Sequence, residues 1–204
     1  MPAFYADEAG AVLSTSIDKY MYIAVNKKFD GNIRVSYSKT EEVEYFEDIQ
    51  HPLVRECLRL VGISGGIEIA SMADIPSKGS GLGSSSSYTV GLLNALYAYK
   101  NSYISKENLA FQACQIELEK CGEPIGKQDQ YAAAYGGLNL IKFHQNNSVS
   151  VEPVICRPTL LSKLNDSILV FYTGRTRSAS SILADQQLGM QSENKKKIMR
   201  RTKY

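Results

Sequence analysis

The sequence predicts an α+β fold, in which strands and helices alternate irregularly along the chain. Seven segments have the short apolar pattern of strands, and three longer segments have apolar residues at helical spacing. A turn dipeptide, Asp30-Gly31, separates the second and third strands and therefore predicts an antiparallel hairpin between them. The predicted strands are Val12–Ile17, Tyr20–Asn26, Ile33–Tyr37, Gly66–Ser71, Gly137–Phe143, Val149–Val154 and Ser167–Thr173.

Each predicted helix has its own signal. Ile49–Val61 places five apolar residues at i, i+3 and i+4 spacing. Ser84–Lys100 begins with serines that can cap it, and its apolar residues continue the same period. Ser105–Cys121 begins at a capping serine and has Glu107 in its first turn, where a negative charge favours the helix dipole.

The composition is that of an ordinary globular protein, with 44% hydrophobic and 22% charged residues among 204. No apolar run approaches the roughly 20 residues that cross a bilayer, and the first residues lack the pattern of a secretory signal. The four cysteines form no CxxC pair, which favours free thiols over disulfides or a zinc site. These features predict a cytoplasmic protein without a membrane partner.

The charge is unevenly distributed. Six of the ten residues from Lys195 to Tyr204 are basic, and the rest of the chain has 17 basic and 21 acidic residues. A short basic tail is typical of a solvated helix end, and no aromatic-rich basic surface accompanies it. The sequence therefore predicts no nucleic-acid partner. His51 and His144 have no metal-like neighbours in the pattern and are interpreted as surface or turn residues.

A glycine- and serine-rich loop, residues 76–87, joins a predicted strand to a predicted helix. Alternating glycines allow backbone N–H groups to turn inward, and a helix N-terminus adds a positive dipole end, so the loop predicts a phosphate cradle. The spacing fits neither a Walker loop nor a dinucleotide fingerprint. A flexible linker is the remaining alternative. The candidate phosphate-binding residues are Lys78, Gly79, Ser80, Gly81, Leu82, Gly83, Ser84, Ser85 and Ser86.

Two carboxylates follow the loop. Glu117 falls near the centre of the apolar arc of its helix, whereas Glu119 falls on the polar side. A carboxylate in a core-facing stripe requires a partner or a metal, unless the helix is rotated so that it lies at a solvated edge. Asp129 precedes a short alanine-rich helical run, where a helix N-cap is the simplest interpretation.

These motifs together resemble those of the GHMP kinases. Residues 76–85 are similar to the P-x-x-x-G-L-G-S-S phosphate loop of that family, with one extra residue before Gly-Leu-Gly. A helix glutamate followed by a Gly-x-x-Asp segment is a second shared feature, present here as Glu117 and Gly126 to Asp129. The resemblance implies ATP and Mg²⁺ as cofactors, Ser85 and Glu117 as metal ligands, and Asp129 as the catalytic base or electrostatic partner.

Several segments resemble the heptose-phosphate kinase branch of the family, among them residues 11–20, 122–137 and 171–178. The implied reaction is phosphorylation of the anomeric hydroxyl of D-glycero-D-manno-heptose 7-phosphate, with Arg175 and Arg177 as candidate contacts for the sugar phosphate. Two solvated loop arginines are an equally good interpretation of that pair. The resemblance also raises a homodimer as an expectation.

The resemblance predicts two domains. Residues 1–160 would form the N-terminal domain, of the ribosomal protein S5 domain 2-like fold, without its first strand. Residues 161–204 would begin a ferredoxin-like C-terminal domain. The family's first and third motifs are absent from the sequence, so an inactive remnant that binds nucleotide or a partner is an alternative. Another GHMP kinase, acting on fucose, galactose or a mevalonate-type substrate, is a further alternative.

Overall fold

The computed structural model describes residues 9–75 and 81–171, which form a mixed fold of strands and helices. The strands are β1 (Gly10–Thr15), β2 (Met21–Lys27), β3 (Ile33–Ser36), β4 (Thr40–Val43), β5 (Ile67–Ala73), β6 (Leu138–Phe143) and β7 (Val149–Pro153). The helices are α1 (Pro52–Val61), α2 (Ser84–Tyr99), α3 (Lys106–Cys114), α4 (Gln128–Tyr135) and α5 (Pro158–Asp166). A 3₁₀ turn, Phe46–Asp48, precedes α1, and a π-helix, Gln115–Lys120, continues α3. The predicted α+β class is confirmed.

The strands form two sheets. β1, β6 and β7 make an antiparallel sheet in the order β1-β6-β7, with Val12 opposite Ile141 and Ile141 opposite Val151. The other sheet has the order β2-β5-β3-β4. Its β5 strand is antiparallel to β2 and parallel to β3.

The predicted hairpin of the second and third strands is therefore wrong, because β5 lies between them. Ile67 and Ile69 of β5 are fully buried, and a central position covers both edges of this apolar strand. The connection from β2 to β3, residues 28–32, therefore has to cross the end of the sheet at the start of β5. Gly66 pairs with both ends of this crossing: its carbonyl accepts from the Lys28 amide at 2.9 Å, and its amide donates to the Gly31 carbonyl at 2.7 Å.

This crossing leaves no room for a side chain at Gly65. A Cβ atom built there would lie 2.5 Å from the carbonyl oxygen of Gly31, which is a backbone atom that cannot rotate away. We expect Gly65→Ala to lower the free energy of unfolding by about 1–3 kcal/mol, because the crossing must shift to relieve the overlap. Urea unfolding measures this change.

Gly31→Ala is the matched control, since a Cβ atom at Gly31 meets nothing within 4 Å. An equal urea midpoint for the two variants would contradict the close backbone approach at Gly65.

The helices cover the four-stranded sheet and form the larger core. Fully buried side chains of β3 and β5 pack against apolar residues of α1 and α2; the sheet contributes Ile33, Val35, Ile67 and Ile69, and the helices Val54, Leu58, Leu92, Leu93 and Leu96. A smaller core joins α3 and α4 to β6 through Ala110, Cys114, Tyr131, Ile141 and Phe143. α2, α3 and α4 contact one another between these two cores.

Two further expectations concern the C-terminal part of the described chain. Ser167–Phe171, the described part of the strand predicted at Ser167–Thr173, is not a strand: Ser167 ends α5, and residues 168–171 have no regular structure. α5 was not predicted, although Pro158 at its start and Leu160, Leu161 and Leu164 at helical spacing are a signal that could have identified it; none of its residues is buried. The helix extends across position 160, and the division into domains at that position stays a prediction.

Candidate active site

The glycine–serine loop leads directly into α2. The described part of the loop has Gly81 and Gly83 at φ +67° and +70°, a left-handed conformation that favours glycine. Gly83 occupies the N-cap position without a side-chain cap, so the serines that follow do not cap the helix as predicted. The first turn of α2 carries no acidic residue, which leaves its positive dipole end uncompensated by any side chain of that turn.

The three serines of the first turn differ in burial. Ser84 and Ser86 are buried, whereas Ser85 is exposed. Ser86 lies on the inward face of α2, and its hydroxyl donates a hydrogen bond of 2.9 Å to Oε2 of Glu117. The structure thus brings Ser86 to the buried carboxylate, and the metal-binding role of Ser85 stays a prediction.

Glu117 is fully buried, as its position in the apolar stripe predicts, and Glu119 is exposed. The solvated-edge alternative is therefore wrong. Glu117 lies in the π-helix, where the Cys121 amide donates to the Ile116 carbonyl at 2.9 Å. π-helical turns occur often at functional sites.

Only one of the two carboxylate oxygens of Glu117 has hydrogen-bond partners among the described residues. Oε2 accepts hydrogen bonds from the Ser86 hydroxyl and from Nε2 of Gln130, each at 2.9 Å. Oε1 is buried without a hydrogen-bond partner among the described residues. Burial raises the pKa of Glu117, the neighbouring Thr89, Ser86 and Gln130 side chains oppose that rise, and the charge of Asp129 adds to it.

Asp129 lies in the first turn of α4, close to the glycine loop. A Cβ atom built on Gly83 would contact Cβ, Cγ and Oδ2 of Asp129, each at 3.4 Å. Lys127, not Asp129, is the N-cap residue of α4, so the N-cap interpretation is wrong. Asp129 keeps access to solvent, and its partial desolvation raises the pKa of the carboxyl group.

A cavity of about 650 Å³ opens beside the start of α2. The ring of His51 stacks on Tyr88 with centroids 5.2 Å apart and meets Tyr37 edge-on at 4.7 Å. His51 is thus packed in an aromatic cluster, although the sequence suggests a surface or turn residue. Burial lowers the pKa of His51, with the charge of Glu41 opposing, which favours the neutral imidazole. The three rings of this cluster line the cavity. The other lining residues are Met21, Ser38, Lys39, Gln50, Pro52, Leu53, Ser71, Met72, Ala73, Ile75, Ser84 and Ser85.

Oxygen atoms around Glu117 suit a hard divalent cation. Oε1 of Glu117 and Oε1 of Gln130 are both buried and lack hydrogen-bond partners among the described residues. Mg²⁺ prefers oxygen ligands and is usually bound by one or two carboxylates together with substrate phosphates. Within residues 9–75 and 81–171, no cluster of three histidine, cysteine or acidic residues forms a ready metal cage. The residues present therefore fit a cation that is shared with a ligand.

Other predicted site residues lie outside the described ranges. These are Lys78, Gly79 and Ser80 of the loop, and Arg175 and Arg177. The four cysteines are free thiols, as predicted. In the described part of the chain, no helix has both the length and the apolar character needed to span a membrane.

A glycine-rich loop at a helix N-terminus, with one buried and one accessible carboxylate near it, is an arrangement that suits phosphoryl transfer. Residues 49–137 match the GHMP kinases N terminal domain, a stretch that includes the loop, Glu117 and Asp129. The chain therefore contains a GHMP kinase N-terminal domain.

Individual relatives are sugar kinases. The chain is 31% identical to D-glycero-alpha-D-manno-heptose 7-phosphate kinase of Campylobacter jejuni over 194 residues, 87% of this chain and 56% of that protein. It is 27% identical to a galactokinase of Pyrococcus furiosus, over 84% of this chain and 49% of that protein. The crystal structure of a D-glycero-D-manno-heptose 1-phosphate kinase from Bacteroides thetaiotaomicron superposes with a TM-score of 0.70 at 26% identity, covering 76% of this chain and 55% of that one. The chain spans about half the length of these relatives.

Proposed function

We propose that this chain is the nucleotide-binding part of an ATP-dependent sugar kinase, whose acceptor is the anomeric hydroxyl of D-glycero-D-manno-heptose 7-phosphate. One observation carries the proposal: the start of α2, the buried Glu117 and the accessible Asp129 converge at Gly83 and Ser86. Phosphoryl transfer requires cradled phosphates, neutralised charge and an aligned acceptor oxygen. This constellation offers a residue for each requirement.

The glycine loop and the first turn of α2 would bind the phosphates of ATP. Backbone N–H groups at a helix N-terminus form a site for anions, and the positive φ angles of Gly81 and Gly83 allow the backbone to approach the phosphates. Lys78, Gly79, Ser80, Leu82, Ser84, Ser85 and Ser86 are the other residues proposed for this cradle.

The cavity with the Tyr37, His51 and Tyr88 rings would take the nucleobase. It lies next to Ser84 and Ser85, so a base in the cavity would place its phosphates at the N-terminus of α2. Aromatic rings stack well on planar ligands, and the volume of about 650 Å³ lies in the range of small-ligand sites.

Glu117 would bind Mg²⁺ through its unpartnered Oε1, with Ser85 as a second proposed ligand. A divalent cation in such sites neutralises charge on the transferring phosphoryl group. Asp129 would accept the proton of the attacking sugar hydroxyl, because its carboxyl group is accessible and adjoins the phosphate loop at Gly83. Arg175 and Arg177 remain proposed contacts for the phosphate of the substrate.

Gly83→Val is expected to weaken ATP binding at least about tenfold. The valine would have to adopt a left-handed φ, which costs about 1–2 kcal/mol, and its branches would push against Asp129. Gly122→Val is the matched control, because Gly122 has φ +68° with nothing within 4 Å of its Cβ position. Calorimetric titration with a non-hydrolysable ATP analogue measures both variants, and equal affinities would refute the assignment of the loop.

The glycine loop at the N-terminus of α2 by itself supports a second candidate, a domain that binds nucleotide without transferring phosphate. Resemblance to galactokinase favours a third, a kinase with another acceptor. ADP production by the purified chain with ATP and Mg²⁺ distinguishes these candidates when heptose 7-phosphate, galactose, fucose and mevalonate are offered in turn. We expect turnover with heptose 7-phosphate. Turnover with another acceptor would support the third candidate, and nucleotide binding without any turnover would support the second.

A further inference from the structure

Gln130 is the side chain that most directly connects the two proposed catalytic carboxylates. It follows Asp129 on α4, yet it is fully buried and points away from the accessible Asp129 side of the helix. Its Nε2 donates to Oε2 of Glu117 at 2.9 Å. Ser86 donates to the same oxygen from α2, also at 2.9 Å. One oxygen of Glu117 is thus bound from two helices.

The other side-chain oxygens of Glu117 and Gln130 have no hydrogen-bond partner in the part of the chain that the structure describes. Oε1 of Glu117 and Oε1 of Gln130 are buried and make no hydrogen bond to the described residues. A buried polar atom without a hydrogen-bond partner lowers the stability of the fold. An apolar side chain of similar volume at position 130 would avoid the cost of the amide oxygen. Within the described chain, only the hydrogen bond from Nε2 to the buried Glu117 carboxylate offsets this cost, so the glutamine at position 130 is explained by its contact with Glu117.

We propose that Gln130 is a positioning residue, which fixes the carboxylate of Glu117 so that Oε1 stays available to a divalent cation. The inference rests on the proposed function, in which Glu117 binds the cation that accompanies ATP. Without the amide of Gln130, the carboxylate would be held, among the described residues, only by the Ser86 hydroxyl and the neighbouring Thr89 side chain, and it could rotate more easily about its terminal bond and exchange its two oxygens. The second hydrogen bond, from Gln130, opposes that rotation.

The same contact links the metal ligand to the proposed base. Gln130 and Asp129 are consecutive residues of α4, so the hydrogen bond to Glu117 also fixes the start of α4 against the π-helix. Asp129 in turn adjoins Gly83 of the loop. Gln130 is therefore placed to set the relative position of the ligand and the base, without itself contacting the reacting atoms.

Gln130→Met is the first test, since methionine conserves the volume and removes both polar atoms. Mn²⁺ is the probe, because it accepts the same oxygen ligands as Mg²⁺ and its free form gives an electron paramagnetic resonance signal. In the presence of a non-hydrolysable ATP analogue, we expect Gln130→Met to weaken Mn²⁺ binding by about 10–100-fold, as loss of a residue that orients a metal ligand does. Urea unfolding checks that the variant is folded; we expect a cooperative transition with a lower urea midpoint, because a hydrogen bond to a buried carboxylate is lost.

Gln128→Met is the matched control: Gln128 belongs to the same helix but is exposed. Gln130→Asn provides a second test, because it keeps an amide that is one methylene too short to reach Glu117. In a Glu117→Gln background, Gln130→Met should cause no further loss of Mn²⁺ affinity, since the two residues would act through one carboxylate.

The outcomes separate this inference from the proposed function. If the unmodified chain takes up no Mn²⁺ with the nucleotide analogue, both fall together. If it does, and the folded Gln130→Met and Gln130→Asn variants bind Mn²⁺ equally well, only the positioning role of Gln130 is overturned. A further loss of affinity in the Glu117→Gln background would also overturn it, because Gln130 would then act independently of Glu117.

Discussion

Asp129→Asn is expected to lower kcat for phosphoryl transfer by about 10²–10⁴-fold, while the affinity for ATP stays the same. Asparagine has nearly the same shape but cannot accept the proton of the sugar hydroxyl. Asp129 contacts the Cβ position of Gly83 through side-chain atoms that asparagine largely retains, so the loop should not move. Steady-state kinetics with heptose 7-phosphate, together with calorimetric titration of nucleotide, measure the two quantities.

The pH profile supplies an independent readout. Desolvation raises the pKa of Asp129, and a base must be deprotonated, so kcat should fall as the pH drops through that raised value. The acidic limb should lie at a higher pH than the ordinary pKa of aspartate would give. Asp166→Asn, at the exposed end of α5, is the control and should leave kcat unchanged. Undiminished turnover in Asp129→Asn would remove Asp129 from the mechanism.

Glu117→Gln is expected to have opposite effects on function and on stability. Loss of a residue that only orients a metal ligand weakens metal binding by roughly 10–100-fold. Losing the carboxylate ligand itself should weaken the binding of Mg²⁺ to the chain with bound nucleotide by more than that. The metal-free chain should instead become more stable near neutral pH, by at least about 1 kcal/mol, because a buried and half-satisfied carboxylate is replaced by a neutral amide.

The sign of the pH dependence follows from the raised pKa of Glu117. A carboxyl group with a higher pKa in the folded than in the unfolded state stabilises the fold when protonated, and this contribution is lost as the pH rises through the folded-state value. The stability advantage of Glu117→Gln should therefore be absent at low pH and grow as the pH rises through the folded pKa of Glu117. Urea unfolding in EDTA at a series of pH values measures it.

Glu119→Gln is the control for both effects, because Glu119 lies on the same π-helix but is exposed. A Glu117→Gln variant with an unaltered Mg²⁺ titration would exclude Glu117 as a ligand. A constant stability difference across the pH range would show that Glu117 does not titrate on folding.

The site could be predicted from the sequence where periodicity or a local motif carried the information. The apolar arc around Glu117 predicted its burial, and the π-helix does not disturb this because it begins only two residues before Glu117. Gly83 and Asp129 were identified through a family motif, and their contact depends on how α2 and α4 pack. Nothing in the sequence gives that packing directly.

The contacts of Glu117 were missed for different reasons. The motif pointed to Ser85, but the helical period of α2 aligns Ser86 with Val90 and Leu93 on the buried face, and this signal could have identified Ser86. Gln130 gives a weaker signal, since glutamine is usually exposed and α4 is short. The aromatic cluster of His51 joins three segments distant in sequence, and only the fold brings Tyr37, His51 and Tyr88 together.

The incorrect hairpin has a general physical origin. A turn dipeptide between two strand patterns predicts pairing only when no other strand competes for the same edges. Here β5, with its fully buried Ile67 and Ile69, pairs with both neighbours, and a crossing over Gly65 and Gly66 takes the place of the tight turn. Such competition involves residues some 40 positions apart in the chain, as with Val25 and Ile69, and local patterns do not contain it.

The central claim is that this chain carries a phosphoryl-transfer site made by the glycine–serine loop at the start of α2, Glu117 and Asp129. Its most direct test is ADP production by the purified, folded chain with ATP and Mg²⁺, with and without heptose 7-phosphate. The account predicts ADP release that depends on the sugar and is lost in Asp129→Asn. A folded chain that binds nucleotide but releases no ADP with the sugar present, or releases it equally well without Asp129, would contradict the account.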